Sequence, residues 1–229
     1  MIRWLRPGDP FPPPDRALVE PNGLLCAGAD LSVPRLLEAY RQGIFPWYSG
    51  NQPILWWCPD PRMVLRVAEF KVSRSLAKNR RNRGYEVRID TAFAQVLDEC
   101  AAPRDGEAGT WLGAEMRAAY LRLHDAGHAH SIETWHEGRL AGGLYGVALG
   151  RMFFGESMFS RATDASKVAL AALVDLLRAR GWPLVDCQVH TPLLESLGAR
   201  ELPRGEFLRE LSPLVNYPQS TESWTLVTA

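Results

Sequence analysis

Leu140-Ala141-Gly142-Gly143-Leu144-Tyr145-Gly146-Val147, then the turn Leu149-Gly150, then Arg151-Met152-Phe153-Phe154-Gly155, form the stretch from which the architecture can be built outward. The run Ala129 to His136 precedes it across a second turn, Glu137-Gly138. Apolar runs joined by short glycine turns predict an antiparallel meander. A helix from about Ala165 to Arg180 follows, stopped by Gly181, and then a strand from Leu184 to Val189. Three antiparallel strands, a long helix and a further strand make a mixed α+β sheet.

Upstream, Met63 to Val67 reads as a strand, Ser73 to about Arg80 as a short helix, and Tyr85 to Ile89 as a strand. Asp90 or Thr91 is placed to cap a helix running to about Cys100. Thr110 precedes a helix carrying Met116, Tyr120 and Leu123, stopped by Gly127. Downstream, Thr191-Pro192 opens a last short helix ending at Gly198. Residues 1 to about 62 are instead rich in Pro, Gly and Trp, around one helix with Ser32 as N-cap, a Leu36/Leu37/Tyr40 stripe and Gly43 as its stop. Pro59-Asp60-Pro61 marks the boundary, so the expectation is a small domain over 1–62 and a larger one over 63–229.

At 229 residues, 46% hydrophobic and 23% charged, the chain is an ordinary globular one. No run fits a signal peptide or a bilayer span. The four cysteines, Cys26, Cys58, Cys100 and Cys187, are scattered, so the expected setting is the cytoplasm, with no membrane partner and thiols reduced. Net charge is zero, yet Arg66 to Arg88 holds eight basic residues against Glu69 and Glu86. Such a stripe can neutralise backbone phosphates, and it equally reads as a solvated helix and loop.

The chemistry concentrates in Gly155-Glu156-Ser157-Met158-Phe159-Ser160-Arg161 and Asp186-Cys187-Gln188. Strand alternation puts Asp186 and Gln188 on one face and turns Cys187 to the other. If the two segments are neighbouring strands, Glu156, Asp186 and Gln188 converge as polar groups in an apolar cleft, the usual build of a small-substrate site. Glu156 needs a cation or hydrogen bonds there, with Arg161 as one structural partner. His124, His128 and His130 lack a carboxylate or cysteine in register, so no metal is expected. Cys187 beside His190 reads as a buried, inert thiol.

Seven blocks in order resemble the leucyl/phenylalanyl-tRNA–protein transferase family. They are Glu20-Pro21-Asn22-Gly23-Leu24-Leu25, Gly43-Ile44-Phe45-Pro46-Trp47, Ile54 to Arg62, Gly109-Thr110-Trp111, Gly127 to Glu133, Phe154 to Ser160, and Asp186-Cys187-Gln188. The resemblance implies a small N-terminal α/β domain followed by an N-acetyltransferase-like (GNAT) domain with a mixed, largely antiparallel sheet. It implies an enzyme that moves Leu or Phe, sometimes Met, from aminoacyl-tRNA to proteins beginning with Arg or Lys, tagging them for degradation by the N-end rule, with no cofactor.

The resemblance also implies site residues. Asp186 and Gln188 would carry the chemistry, Asp186 in an electrostatic and proton-handling role, either as a base or by positioning the substrates, and Gln188 by orienting the amine or ester carbonyl. The acceptor's cationic side chain would meet Glu156 or Asp186, and Phe153, Met158, Leu170, Leu173 and Val185 would line the donor pocket. Leu144 and Leu173 depart from the bulkier or softer residues of the family pattern, which bears on the choice between Phe and Leu. Trp47 and Trp111 would sandwich the terminal adenosine. Lys71, Arg74, Lys78, Arg80, Arg81 and Arg83 would contact acceptor-stem phosphates. Two rivals remain at this stage: a CoA-dependent N-acetyltransferase and a non-catalytic module binding basic N-termini or tRNA. Against CoA, Ser160 to Lys167 offers no glycine where a pyrophosphate turn would need one.

Overall fold

The structure is a computed structural model that describes residues 2–103, 112–218 and 224. The first unit of sheet contains β1 (Arg3–Leu5), β2 (Leu24–Gly28), β3 (Phe45–Pro46) and β4 (Leu55–Trp57) in the order β1-β2-β4-β3, with helix α1 (Val33–Arg41) packed beside it. The chain then enters a seven-stranded sheet through the cis Asp60–Pro61 bond. Its strands are β5 (Arg62–Arg66), β6 (Glu86–Ile89), β7 (Ala129–His136), β8 (Arg139–Leu149), β9 (Met152–Ser160), β10 (Leu184–Gln188) and β11 (Arg200–Leu202). The order is β11-β5-β10-β9-β8-β7-β6. β9 and β10 run parallel and every other neighbouring pair is antiparallel, so the fold is α+β around a mixed, largely antiparallel sheet.

Helices α2 (Arg74–Asn82) and α5 (Ala165–Ala179) cover one face, while α3 (Phe93–Ala101), α4 (Ala114–Asp125), α1 and α7 (Arg204–Val215) pack toward the other. A short α6 (Pro192–Ser196) follows β10. Alternation along the strands explains the two layers. Leu65, Ile132, Leu144, Phe153 and Val185 meet Leu170, Leu173 and Leu177 of α5, while Tyr145, Val147 and Phe154 meet Val96, Met116 and Tyr120. Each such buried side chain contributes about 1.5–3 kcal/mol. The second cluster is continuous with Tyr40 of α1, Trp56 of β4 and Phe207 of α7, so a single apolar core ties the first sheet to the second. At Gly142 a Cβ would stand 2.6 Å from that of Ala165, which is why β8 can touch the first turn of α5.

Several expectations change. Neither Asp90 nor Thr91 caps α3, whose N-cap is Ala92. Asp90 adopts a left-handed φ of 55° and accepts from Ser131 N and His130 Nδ1, and the Thr91 hydroxyl donates to buried Glu133. Polar groups of β7 claim both side chains because each would otherwise be buried without a partner. Ser32 stands at the N-cap of α1 without a side-chain cap bond, whereas Ser73 and Thr191 cap their helices through Leu76 N and Leu194 N. β9 does not stop at Gly155 but runs on to Ser160. β11 and α7 were not expected. α7 carries Phe207, Leu211 and Val215 at helical spacing, but Pro203 and the internal Pro213 break up the pattern that would announce it. Thr110 lies outside the described residues. Among the described residues no helix is long and apolar enough to cross a membrane.

Candidate active site

β9 and β10 pair at Met152–Leu184, Phe153–Val185 and Phe154–Asp186 and then part, because β9 continues while β10 ends at Gln188. A cavity of about 720 Å³ opens where they diverge. Two local irregularities shape it. Ser157 lies opposite Tyr145 and Gly155 opposite Gly146, which leaves Glu156 as the extra residue of a β-bulge. The bulge resets the alternation: Phe154 and Glu156 face the tyrosine layer, yet Met158 packs on the same side as Phe153. On β10, Gln188 takes a left-handed φ of 63° at a register shift.

Glu156 is partly open to the cavity and sits at the centre of a hydrogen-bonded group. Tyr40 donates to its Oε1 at 2.7 Å, Tyr120 to its Oε2 at 2.6 Å, and the Gln188 amide to Oε1 at 2.9 Å. The two phenol oxygens lie 3.0 Å apart. Burial pushes the Glu156 carboxyl up to about 7, against the opposing pull of the tyrosine bonds, and the nearby Asp186 charge adds to the rise. Burial, and then the Glu156 charge, hold Tyr40 and Tyr120 well above the ordinary phenol range, so both remain donors.

The structure places Asp186 behind the cleft and not on its wall. Its side chain is fully buried and clamped by Arg62, with Nε to Oδ1 at 2.8 Å and Nη2 to Oδ2 at 2.6 Å. The guanidinium is itself buried against the rings of Phe45 and Phe207. The Asp186 Oδ1 also accepts from Gln188 N at 2.9 Å, so Asp186 reaches the cleft only through Gln188. Simple alternation fails here: Cys187 and Gln188 both line the cavity and Asp186 does not, because the backbone turns left-handed at Gln188. The Cys187 thiol is raised by burial, and His190 bonds Glu195 rather than the sulfur. Arg161 pairs with Glu99 at 2.6 Å, not with Glu156.

Phe153, Met158, Leu170, Leu173 and Val185 come together as cavity wall, joined by Leu144. Trp47 is 47% exposed and edge-on to Trp57 at 5.5 Å, away from the cavity wall, and Trp111 lies outside the described residues. Lys71, Arg74, Lys78, Arg81 and Arg83 are exposed on and beside α2, whereas Arg80 is drawn to Asp175 at 2.6 Å. The His124 and His130 rings lie 6.5 Å apart beside Asp90, His130 bonding Asp90 and His124 the Ala129 carbonyl, and no metal-binding cluster occurs among the described residues. Three participants escaped sequence reasoning: Tyr40, Tyr120 and Arg62. The two tyrosines read as apolar stripe, and their hydroxyl tips were the signal. A tyrosine hydroxyl buried in a core needs a partner.

Comparison with known proteins bears on what this site belongs to. The family model described as leucyl/phenylalanyl-tRNA protein transferase matches residues 64–212, and that described as its N-terminal domain matches residues 29–60. The leucyl/phenylalanyl-tRNA–protein transferase of Thiobacillus denitrificans is 61% identical over 215 residues, covering 94% of each chain. The protein of that name from Azoarcus sp. is 57% identical over 229 residues, covering 100% of this chain and 97% of its own. Among solved structures, L-PGS from Bacillus licheniformis is similar at 12% identity and a TM-score of 0.41, covering 73% of this chain and 53% of that one. With two thirds of the chain under one family model and relatives above half identity along its length, the chain belongs to the leucyl/phenylalanyl-tRNA–protein transferase family.

Proposed function

We propose that this protein transfers Leu or Phe, and sometimes Met, from aminoacyl-tRNA to the N-terminal α-amine of proteins beginning with Arg or Lys, in the cytoplasm, as a tag for N-end rule degradation. The observation that carries the proposal is Glu156, held between two phenols and an amide at the edge of an apolar cavity. The cavity wall of Phe153, Met158, Leu170, Leu173 and Val185 suits an apolar donor side chain, and the polar edge suits an amine.

Aminoacyl-tRNA is an activated ester, so the reaction needs no ATP. The amine nitrogen bonds to the ester carbonyl carbon, the carbon–oxygen bond to the ribose breaks, and the tRNA hydroxyl leaves with a proton. Holding the two reactants in register supplies much of the acceleration. The amine must also lose a proton. Glu156 is suited to receive it, since its carboxyl lies near 7 while an α-amine titrates at about 7.7–8.0. Gln188 orients the group through its amide. Asp186, neutralised by Arg62, supports Gln188 from behind as a positioning residue. Trp47 and Trp111 would stack on the terminal adenosine, with Lys71, Arg74, Lys78, Arg80, Arg81 and Arg83 toward the stem.

The test is incubation with labelled leucyl-tRNA and two peptides, one beginning with Arg and one with Ala, without ATP or CoA. Label on the Arg peptide alone is the expected result. Label on neither peptide, with folded protein and with each of the three charged tRNAs, would overturn the reading.

A further inference from the structure

Trp224 stands outside the cavity wall yet packs against part of it. Its ring is 5.8 Å from that of Phe153, with 39° between the planes. Phe153 belongs to both, lining the cavity and meeting Trp224. The Phe153 ring already lies over Gly146, where a Cβ would come 2.5 Å from its Cε1, so it has no room to drop toward the sheet. Trp224 is one of the groups that confine the Phe153 ring.

Trp224 is itself wedged. It stacks on His130 at 4.0 Å with planes 9° apart, meets Trp182 edge-on at 5.9 Å, and receives the Arg180 guanidinium over its face at 4.9 Å. His130 is in turn fixed by Asp90 at 2.7 Å. Stacked and edge-packed aromatic pairs attract one another beyond what their buried area alone would give, which holds the indole in place. The wedge therefore transmits a fixed position to Phe153.

We infer that Trp224 is a specificity-determining positioning residue, setting the depth of the donor cavity through Phe153 and so the balance between a branched aliphatic and an aromatic donor side chain. This rests on the transferase reading above. Removing the wedge lets Phe153 relax outward, which deepens the cavity and favours the longer side chain.

The experiment measures kcat and KM for leucyl- and phenylalanyl-tRNA with one Arg-initiated peptide, in wild type, Trp224→Ala and Trp224→Phe. A hydrophobic pocket altered by about one methylene discriminates by roughly tenfold, so Trp224→Ala should raise the Phe-to-Leu ratio of kcat/KM about tenfold, chiefly through KM for the donors. The KM for the peptide should not move. Trp224→Phe keeps the stack on His130 and should show a smaller shift in the same direction, which serves as the test if the alanine variant does not fold. Equal loss with both donors, leaving the ratio within about twofold of wild type, would mark Trp224 as merely structural and overturn the inference. Wild-type protein inert with every charged tRNA would remove the transferase reading and this inference with it.

Discussion

A carboxyl group in an apolar cleft keeps its proton unless hydrogen bonds offset its lost hydration. At Glu156 burial outweighs Tyr40 and Tyr120, and the carboxyl rises from an ordinary 4.5 to about 7. Because the folded value exceeds the unfolded one, the stabilising contribution is complete below about pH 4.5 and disappears as pH rises through 7. Glu156→Gln removes this titration. Between pH 5 and 8 wild type should lose stability relative to the variant, by about 2–3 kcal/mol, in denaturant melts at the two pH values. The variant's transfer rate should fall about 10²–10⁴-fold and lose its limb near pH 7, while the amine's own limb persists. At Asp186 the physics is different, since a buried bidentate pair is costly to halve. Asp186→Asn strands the Arg62 charge and should cost about 3–5 kcal/mol by urea unfolding, whereas Arg62→Met with Asp186→Leu should recover most of it. Recovery of stability without activity would separate the pair's structural role from its support of Gln188.

Among the elements, the β9–β10 pair matters most. The bulge at Glu156 and the left-handed turn at Gln188 send both polar side chains into the gap that opens where the strands part. Gly146, across from the bulge, leaves room for the Phe153 ring and the Phe154 carbonyl. In Gly146→Ala the new Cβ collides with both, and the carbonyl belongs to the backbone, so the strand itself must shift. The expected cost is about 1–3 kcal/mol in unfolding, with a raised KM for the donor because the cavity wall moves with Phe153. An unchanged donor KM would mean that the wall tolerates the shift. The turns flanking β8 and the α5 stop at Gly181 were legible in the sequence because they depend on residues a few positions apart. The extension of β9 to Ser160 was not, since a bulge breaks the period-two signal at the very residue it presents.

For the whole molecule, a neutral chain gathers a basic stripe on and beside α2, part of it already paired internally. Arg66 pairs with Glu210, Arg80 with Asp175 and Arg88 with Glu86. Lys78→Gln and Arg81→Gln should therefore raise the KM for aminoacyl-tRNA more than Arg80→Gln. Each lost phosphate contact should lower the slope of log affinity against log salt by about one, read from KM over a sodium chloride series. A slope unchanged in all three would place the stem elsewhere. The mixed sheet, the helix of residues 33–41 with its glycine stop and the family itself were written in local pattern and motif order, which survive without coordinates, whereas the cavity-wall residues read as plain core by periodicity and stood out only through the resemblance. The partners of the two carboxylates were not. Tyr40 and Glu156 are 116 positions apart, and Arg62 and Asp186 are 124 apart. A carboxylate's protonation and reach depend on which groups the closed core brings against it, and side-chain type and spacing along the chain carry no record of that. Whether the Asp186 side chain faced the cleft or lay behind it against Arg62 was decided only when β5 paired with β10 and buried both charges together.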